Sequence, residues 1–487
     1  MMPKKNKFYV TTPIYYINDQ AHIGHAYSTI AADVLARYYR QQNRKVLFTT
    51  GTDENSQKTL EAAKTAKLNT KEYSDKTAKK WQNLWDQLNI SYDRFIRTTE
   101  PAHIKAVQTL IQKIYDKGDI YKGIYEGLYC FRCEAFYRED DLIDGKCPFH
   151  KIRPEFIKEE NYFFKLSKYQ DDLLNYIKNN PHFILPEARH NEVVAFIERG
   201  LDDISISRAN QKWGVPLPFD KSQVTYVWFD ALINYLTVAD YPDKKYSQWW
   251  PADVHIIGKD IIRFHCVIWP AMLISAGIEL PKTIFAHGFF TVDGEKISKS
   301  LGNAIDPIEL TKKYGNDALR YYLLREFPFG TDGDFSHERF KIVYETELGD
   351  NLGNLVQRLV IMLEKYNERG YSYIQPKNRK ILQNIKEQDH NEQFLKSLEF
   401  SNALQTIFKW IDHLNIELAN EEPWKLIKQD KVRAIKFLNE VVSGILDINE
   451  YLKPFLPETA EKILKTFKNG KVNTKIGILF PKIDNAD

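Results

Sequence analysis

The chain has 487 residues, of which 43% are hydrophobic and 27% are charged, and it holds 68 lysines and arginines against 65 aspartates and glutamates. This length predicts two to four packed units, and the net charge of +3 excludes a generally polyanion-binding surface, so that any nucleic-acid site must be a local patch. The sequence has no long uncharged span for a membrane, and polar residues interrupt the apolar stretch that follows its basic N-terminus, so we expect a cytoplasmic protein.

The first predicted elements are a strand over residues 8–12, a loop and a helix over residues 26–40. His22 and His25 then lie at the helix N-terminus, where main-chain N–H groups and the helix dipole favour an anion. Two imidazoles there can donate hydrogen bonds to a polyphosphate, and Gly24 would let a flat ligand approach the backbone. The alternative is that both histidines only cap the helix.

A second strand, over residues 45–52, ends in a polar loop that contains Asp53. Open α/β sheets bind ligands in such loops, so Asp53 is a candidate partner for an ammonium group. The alternative is that Asp53 is the N-cap of a helix that starts near Ser56.

The pattern Cys-x-x-Cys followed by Cys-x-x-His places Cys130, Cys133, Cys147 and His150 in one short stretch. Three cysteines and a histidine from one local stretch suit tetrahedral Zn²⁺ in a structural site. The alternative is a disulfide, which an odd number of clustered cysteines in a cytoplasmic protein disfavours. The fourth cysteine, Cys266, lies in an apolar segment and is predicted to be buried.

The remaining pattern predicts an α/β protein: a Rossmann-type parallel-sheet domain with a zinc-knuckle insertion, followed by an all-α helical bundle. We predict the sheet domain in two parts, a contact region around a basic loop, and a bundle marked by apolar residues at helical spacing. The predicted ranges are 1–117 and 224–281 for the sheet domain, 118–223 for the insertion, 282–345 for the contact region and 346–487 for the bundle.

The basic loop contains Lys296, Ser298, Lys299 and Ser300. Two lysines and two hydroxyls in a glycine-flanked loop could clamp a triphosphate, although alone they could form a solvated loop. Together, in this order, the His-Ile-Gly-His and Lys-Ile-Ser-Lys-Ser stretches resemble the two signatures of class I aminoacyl-tRNA synthetases.

Over nearly its whole length the chain resembles the methionyl-tRNA synthetase family. The resemblance implies an aromatic pocket for L-methionine with one carboxylate for the ammonium. The residues of this chain that match the family's pocket positions are Pro13, Ile14, Tyr16, Asp53, Trp228, Ala231, Leu232, Tyr235, Ile261, His265 and Trp269. Aromatic walls suit a thioether, Tyr235 and His265 could meet its weak acceptor sulfur, and Trp269 would line the floor.

The resemblance further implies that ATP, carried with Mg²⁺, binds the two signatures together with His287, and that the sequence holds one structural Zn²⁺ per chain. The last zinc ligand, His150, departs from the cysteine that is frequent in the family. The activated methionine would pass to initiator and elongator tRNA(Met). No counterpart of the family's dimerising extension follows the bundle, so we expect a monomer.

The family's anticodon-reading positions match Asn354, Arg358, Pro423 and Trp424. Asn354 and Arg358 are one helical turn apart, and Trp424 could stack on an unpaired base. The alternative is that Arg358 is an ordinary exposed helix charge and Trp424 a core residue.

Two rival functions remain open at this point. A cysteinyl enzyme would use zinc to bind a substrate thiolate, but its ligands would come from separated elements. A non-catalytic RNA-binding relative would not need both signature loops.

Overall fold

The computed structural model describes residues 6–18, 21–148, 151–292, 294–296, 304–375, 381 and 390–483, with the backbone alone at 295 and 296. The chain divides into two compact units, of which the first comprises Met1–Ala21 and Tyr39–His287 and the second His22–Tyr38 and Gly288–Asp487. The five ranges predicted from the sequence are finer than this division and stay a prediction. Within the described residues, no helix has the length and apolarity needed to cross a bilayer.

The described strands are, in chain order, β1 Lys7–Tyr16, β2 Lys45–Asp53, β3 Arg94–Arg97, β4 Ile120–Cys130, β5 Ala135–Tyr137, β6 Glu155–Phe164, β7 Ile184–Leu185, β8 Ile204–Ser205, β9 Ser207–Arg208, β10 Val224–Thr225, β11 Val254–Gly258, β12 Ile284–His287, β13 Phe290–Val292, β14 Glu295–Lys296, β15 Gly333–Phe335, β16 Phe467–Lys468 and β17 Lys471–Val472.

The described α-helices are α1 Ile23–Gln41, α2 Gln57–Thr65, α3 Thr70–Gln87, α4 Pro101–Asp116, α5 Gln170–Asn179, α6 Glu187–Glu198, α7 Val227–Ala231, α8 Asn234–Thr237, α9 Trp269–Ala276, α10 Pro307–Tyr314, α11 Asn316–Arg325, α12 His337–Val343, α13 Asn354–Tyr366, α14 Asn391–Lys396, α15 Phe400–Glu421, α16 Pro423–Leu426, α17 Lys431–Leu452 and α18 Pro457–Thr466. Short π-helices at Phe264–Ile268 and Tyr344–Gly353 precede α9 and α13.

The main sheet of the first unit has the strand order β3-β2-β1-β11-β12-β7, and all neighbouring strands run parallel. The chain winds outward from β1 to one edge and later returns to build the other side, so the strand order reverses between β1 and β11. Ligands of open α/β sheets bind beyond the carboxyl ends of the strands at such a reversal. The predicted Rossmann-type sheet is confirmed.

The predicted insertion contains a second sheet of the first unit, with strand order β5-β4-β6-β8 and antiparallel neighbours. Its longest antiparallel pair, β4 with β6, is in register from Ile120 opposite Phe164 to Tyr129 opposite Glu155. β4 ends at Cys130, so the sheet delivers the first predicted metal ligand at a strand terminus.

In the second unit, α13, α15 and α17 bury apolar residues at helical spacing, which confirms the predicted helical bundle. The long helix α15 ends at Glu421, because Glu422 takes a left-handed backbone with φ of 40° and Pro423 follows it. Pro423 is the first residue of α16, where its missing N–H leaves no helix bond unmade.

Candidate functional site

The carboxyl ends of β1 and β2 lie side by side in the parallel sheet of the first unit, where the methionine pocket is predicted. Tyr16 lies directly opposite Asp53 in the parallel register, and both residues end their strands. The register shifts between Thr11 and Ile14, so that Pro13, which cannot donate a ladder hydrogen bond, lies at the irregularity. These two strands therefore bring four of the predicted pocket residues close together: Pro13, Ile14 and Tyr16 on β1 and Asp53 on β2.

Asp53 is the electrostatic centre of this pocket. Its side chain is only 3% exposed, and its Oδ1 has no hydrogen-bond partner within the described part of the chain. Burial, followed by the nearby carboxyls of Asp230 and Glu134, raises the pKa of Asp53 well above its usual value. An unpaired buried carboxyl of this kind is stabilised by a cation.

The alternative role of Asp53 as a helix cap is wrong. α2 begins one residue after Ser56, whose Oγ accepts a hydrogen bond from the N–H of Thr59 at 3.2 Å. The capping position is therefore already filled, which leaves the Asp53 carboxyl to the pocket.

Aromatic side chains wall the same pocket. The ring of Trp228 stacks on Phe264 with centroids 3.8 Å apart and planes inclined by 6°, and it meets the ring of Tyr16 edge-on at 6.5 Å. Trp228 and Tyr16 thus have fixed relative orientations. The result is an apolar, polarizable surface next to a carboxyl.

Tyr235 and His265 are joined by a hydrogen bond of 2.8 Å between the hydroxyl and Nε2. The Nδ1 of His265 lies 3.0 Å from the carbonyl oxygen of Ile261, which can only accept, so the proton is on Nδ1. Burial lowers the pKa of His265 to about 4, so the ring is neutral near pH 7. Nε2 must then accept a hydrogen bond from the hydroxyl of Tyr235. The Tyr235 hydroxyl and the Nδ1–H of His265 are thus both engaged within the protein.

The other predicted pocket residues lie on β1 and on the segments that carry Trp228 and His265. Ala231 and Leu232 are buried at the end of α7, and Ile14 is half-buried on β1. Trp269 is fully buried, with its ring centroid 6.1 Å from that of Tyr235, and its Nε1 has no partner among the described residues.

A buried network behind Asp53 was not predicted from the sequence. His103 of α4 lies 2.7 Å from Asp230 Oδ1 through its Nε2 and 3.0 Å from Thr237 through its Nδ1. Asn55 donates to the other oxygen of Asp230 at 2.8 Å. Asp230 lies in the segment that also carries Trp228, but His103 is 127 residues away and gave no signal in the sequence.

The predicted metal cluster is also in the first unit. The Sγ atoms of Cys130, Cys133 and Cys147 lie within 4.8 Å of one another, and none of the described cysteines is in a disulfide. The distance from Cys133 to Cys147 is 3.7 Å, far from the S–S bond length of about 2.05 Å. Two ligands at about 2.3 Å from one tetrahedral ion would be about 3.8 Å apart. The disulfide alternative is therefore wrong, and the thiols fit a zinc ion.

The surroundings of the cluster support cation binding. A hydrogen bond with Cys130 and burial raise the pKa of the Cys133 thiol, whereas the hydroxyl of Tyr137, which donates to Cys133 at 3.3 Å, lowers it. Without a cation, three thiolates would repel each other in this buried place. The fourth predicted ligand, His150, lies outside the described residues.

The two histidines of the first signature are described within the second unit, at the start of α1. Nδ1 of His22 accepts a hydrogen bond from the N–H of Gly24, and Nδ1 of His25 accepts from the N–H of His22, both at 3.1 Å. This reciprocal pattern is a capping box made of histidines. Burial lowers the pKa of His22 to about 4 and that of His25 well below its usual value.

Both rings are consequently neutral and carry their proton on Nε2. Both histidines do cap the helix, and capping leaves the Nε2–H group of each imidazole as its hydrogen-bond donor. The structure shows why a glycine is needed at position 24: a Cβ there would lie 2.9 Å from Cε1 of His22.

The second signature begins on β14, which forms a hairpin with β13, and Asp334 binds this hairpin. Its Oδ1 accepts from the hydroxyl of Thr291 at 2.5 Å and from the N–H of Gly294 at 2.8 Å. Lys296 is on β14 with only its backbone described, and Ser298, Lys299 and Ser300 lie outside the described residues. In the first unit, His287 is buried at the carboxyl end of β12.

The predicted anticodon residues come together in the second unit. The guanidinium carbon of Arg358 is 5.6 Å from the centroid of the Trp424 ring, and both side chains are half-buried. Asn354 is exposed one turn before Arg358, and Pro423 is buried. Trp424 therefore keeps accessible surface, as a stacking platform requires.

Comparisons with known proteins place this geometry in a family. The family described as "tRNA synthetases class I (M)" matches residues 8–154 and 139–360. With its parallel sheet, the chain is thus a class I tRNA synthetase. Two relatives named methionine--tRNA ligase are from Caldanaerobacter subterraneus, 43% identical over 99% of this chain and 79% of the relative, and Thermotoga maritima, 45% identical over 94% and 75%.

The structure of Mycobacterium tuberculosis methionyl-tRNA synthetase in complex with methionyl-adenylate is similar to this one, with a TM-score of 0.92 and 38% identity. The match covers 98% of this chain and all of that chain. The chain therefore belongs to the methionine--tRNA ligase family, which confirms the resemblance read from the two signatures.

Proposed function

We propose that the pocket of the first unit binds L-methionine, with Asp53 as the counter-ion of its ammonium group. The buried Oδ1 of Asp53, which has no partner among the described residues, carries this proposal. A bound ammonium would satisfy that oxygen and offset the repulsion from Asp230 and Glu134.

The side chain of methionine would lie against Trp228 and the Tyr235–His265 pair. Since Tyr235 donates to His265, and His265 donates to Ile261, neither residue has a second proton for the sulfur. Selection of the thioether would then come from apolar and S···aromatic contact, aided by Ile14, Ala231, Leu232 and Trp269.

The ATP phosphates are assigned to the signature residues. His22 and His25 would donate from Nε2 as neutral groups, and Lys296 and Lys299 would supply positive charge, with Ser298 and Ser300 beside them and His287 completing the set. Mg²⁺ would travel with ATP and offset the phosphate charge. Gly24 keeps His22 in its donating orientation.

The chemistry then needs no protein nucleophile. A carboxylate oxygen of methionine attacks the α-phosphorus of ATP, and the bond to the leaving pyrophosphate breaks. The 2′-hydroxyl of the terminal adenosine of tRNA(Met) next attacks the acyl carbon, and AMP leaves. The protein contributes positioning and electrostatic stabilisation.

We assign a structural role to one Zn²⁺ per chain, held by Cys130, Cys133, Cys147 and His150. When bound, the ion would balance the thiolates and close the knuckle between β4 and β5. The three thiols at zinc-compatible separation support this, and their reduced state suits a cytoplasmic location.

We assign the anticodon of initiator and elongator tRNA(Met) to Asn354, Arg358, Pro423 and Trp424. The half-buried indole beside a guanidinium supports stacking of an unpaired base. We further propose that the protein acts as a monomer of 57.1 kDa, which sedimentation can measure.

The deciding experiment is ATP–pyrophosphate exchange measured with each amino acid singly. Methionine alone should stimulate exchange at micromolar to millimolar concentration. Stimulation by cysteine alone would favour a cysteinyl enzyme, and no stimulation by any amino acid would favour a non-catalytic relative.

Asp53→Asn tests the assigned counter-ion. Removing the charge should raise the KM for methionine roughly ten- to a hundredfold, the range expected for a hydrogen bond to a charged group. Because the change also removes a strained buried charge, the free energy of unfolding should not fall. Asp171→Asn, at an exposed helix position, is the matched control. An unchanged KM would remove Asp53 from the site.

A further inference from the structure

His103 is the third residue of α4, and its ring is fully buried. Both ring nitrogens have partners: Nε2 lies 2.7 Å from Oδ1 of Asp230, and Nδ1 lies 3.0 Å from the hydroxyl of Thr237. Because a carboxylate only accepts hydrogen bonds, Nε2 of His103 carries a proton and donates it to Asp230. The ring therefore joins α7, which carries Asp230, to α8, which carries Thr237.

The second oxygen of Asp230 is bound from the end of β2. Asn55 donates from its Nδ2 to Oδ2 of Asp230 at 2.8 Å and to the main-chain oxygen of Thr98 at 3.0 Å. Each oxygen of this buried carboxylate thus accepts a hydrogen bond, which offsets the cost of its burial. Asp53 differs, since its Oδ1 has no partner within the described residues. Of the two aspartates, Asp53 therefore keeps the oxygen that an ammonium group can satisfy.

We call His103, Asp230, Asn55 and Thr237 the His103 cluster. Three of its members each lie two residues after a residue of the proposed methionine pocket: Asn55 after Asp53, Asp230 after Trp228 and Thr237 after Tyr235. Residues two positions apart on a helix point to nearly opposite sides. On α7 and α8 the cluster members therefore lie behind the pocket wall, and their hydrogen bonds connect the three segments that carry those pocket residues.

We propose that His103 is a positioning residue that selects the length of the amino-acid side chain. Through Asp230 it fixes the distance between the ammonium site at Asp53 and the aromatic wall at Trp228. This inference rests on the proposed binding of methionine to that pocket. Two methylene groups separate the sulfur of methionine from the carbon that bears the ammonium group, so a fixed distance favours this chain length over a shorter one.

Two amides at position 103 separate the bond to Asp230 from the rest of the side chain. The amide of glutamine reaches about as far as Nε2 of histidine, so His103→Gln keeps a donor for Asp230. The amide of asparagine reaches only about as far as Nδ1, so His103→Asn keeps a polar group near Thr237 and loses the bond to Asp230.

The measurement is ATP–pyrophosphate exchange with methionine and with S-methylcysteine, whose thioether chain is one methylene shorter. Wild type should prefer methionine by about 10- to 200-fold in kcat/KM, the range that one methylene gives in an apolar pocket. His103→Asn should lower this preference at least about fivefold, whereas His103→Gln should keep it within about twofold of wild type. The KM for ATP should stay within about twofold in both variants, because ATP is assigned to other residues.

Leu110→Ala is the matched control, since Leu110 is buried on the same helix and does not belong to the His103 cluster. It should lower the melting temperature. A smaller fraction of folded protein lowers exchange with both amino acids alike, so the preference for methionine should equal that of wild type. An equal loss of preference in Leu110→Ala and His103→Asn would overturn the proposal, because any loosening of α4 would then relax the selection.

Asn55→Ala removes the donor to the other oxygen of Asp230, and it tests the proposal even if His103→Asn does not fold. It should also lower the preference for methionine at least about fivefold. An unaltered preference in either variant would overturn the proposal, and so would an equal loss in His103→Gln and His103→Asn.

These outcomes separate the two proposals. Wild-type exchange that methionine does not stimulate would contradict the proposed pocket itself. A wild type that prefers methionine, with variants that prefer it equally, would contradict only the role of His103.

Discussion

The two histidines at the start of α1 combine two roles through different ring atoms. Each Nδ1 caps the helix, and capping fixes the tautomer in which Nε2 carries the proton. A neutral donor can bind a phosphate in every charge state that the reaction passes through, and it needs no proton from solvent. The capping geometry thus prepares the rings for the proposed chemistry.

Gly24→Ala tests this arrangement at a single atom. The added Cβ would meet the ring of His22, so the ring must turn and its donor must move. We expect methionine-dependent exchange to fall at least tenfold while the melting temperature stays equal or rises, because alanine favours a helix over glycine. Ala32→Gly, at a buried position of the same helix, should instead lower the melting temperature and leave methionine-dependent exchange near wild type. Equal exchange in Gly24→Ala and wild type would contradict the role of His22.

At the scale of elements, the cysteine cluster lies at the turn between β4 and β5 and could hold a metal ion. Structural zinc sites contribute directly to folding free energy, since a buried set of thiolates is stable only around a cation.

Cys147→Ser should therefore abolish the bound metal, whereas wild type should contain about one Zn²⁺ per chain by elemental analysis. Loss of the ion should loosen the insertion and weaken methionine binding indirectly. Cys266→Ser is the control, because this cysteine is buried outside the cluster and should leave the metal content unchanged. Full metal content in Cys147→Ser would show that this thiol is no ligand.

The junction of α15 and α16 carries the predicted anticodon residues Pro423 and Trp424. The left-handed Glu422 and the following proline end one helix and start the next, so the indole of Trp424 emerges at a bend. Its half-buried ring is held by Arg358 without being lost in the core.

Trp424→Ala should reduce aminoacylation of tRNA(Met) about ten- to a hundredfold, since stacking of one base is worth roughly 1–3 kcal/mol. ATP–pyrophosphate exchange, which does not need tRNA, should stay near wild type. Trp410→Ala is the contrasting control, because Trp410 is 2% exposed and its truncation should cost about 3–5 kcal/mol and lower both activities. A parallel fall in both assays for Trp424→Ala would show that Trp424 acts as a core residue and does not stack on the anticodon.

Across the whole molecule, neutral buried histidines make stability depend on pH. Burial lowers the pKa values of His22 and His265 to about 4, whereas an unfolded histidine titrates near 6.5. Between these values the unfolded chain binds more protons, so the free energy of unfolding falls as the pH decreases. The slope is at most about 1.4 kcal/mol per pH unit for each histidine.

We therefore expect His265→Gln to flatten the pH dependence of denaturant unfolding between pH 6.5 and 4.5. Carboxyls with raised pKa values, such as Asp53, act in the opposite direction, but they are common to both proteins and cancel in the difference. His182→Gln, at an exposed position, should follow wild type. A slope that His265→Gln leaves unchanged would contradict a neutral His265.

Much of the architecture could be predicted because it depends on patterns among residues that are close in sequence. Alternating and helical periodicities depend on neighbouring residues, so β1, α1, β2 and the helical bundle were predicted, with α1 starting at Ile23 instead of near residue 26. The signatures and the cysteine spacing were predictive for the same reason, since each places its chemistry in one short stretch.

Only the tertiary structure decided which distant groups meet. The pairs Tyr235–His265 and His103–Asp230 join segments separated by 30 and 127 residues. No periodicity predicts such contacts, which decide the hydrogen-bond partners of His265 and Asp230. The sequence by itself thus determined the family, the elements and the candidate residues, whereas burial and long-range contact determined their protonation and their partners.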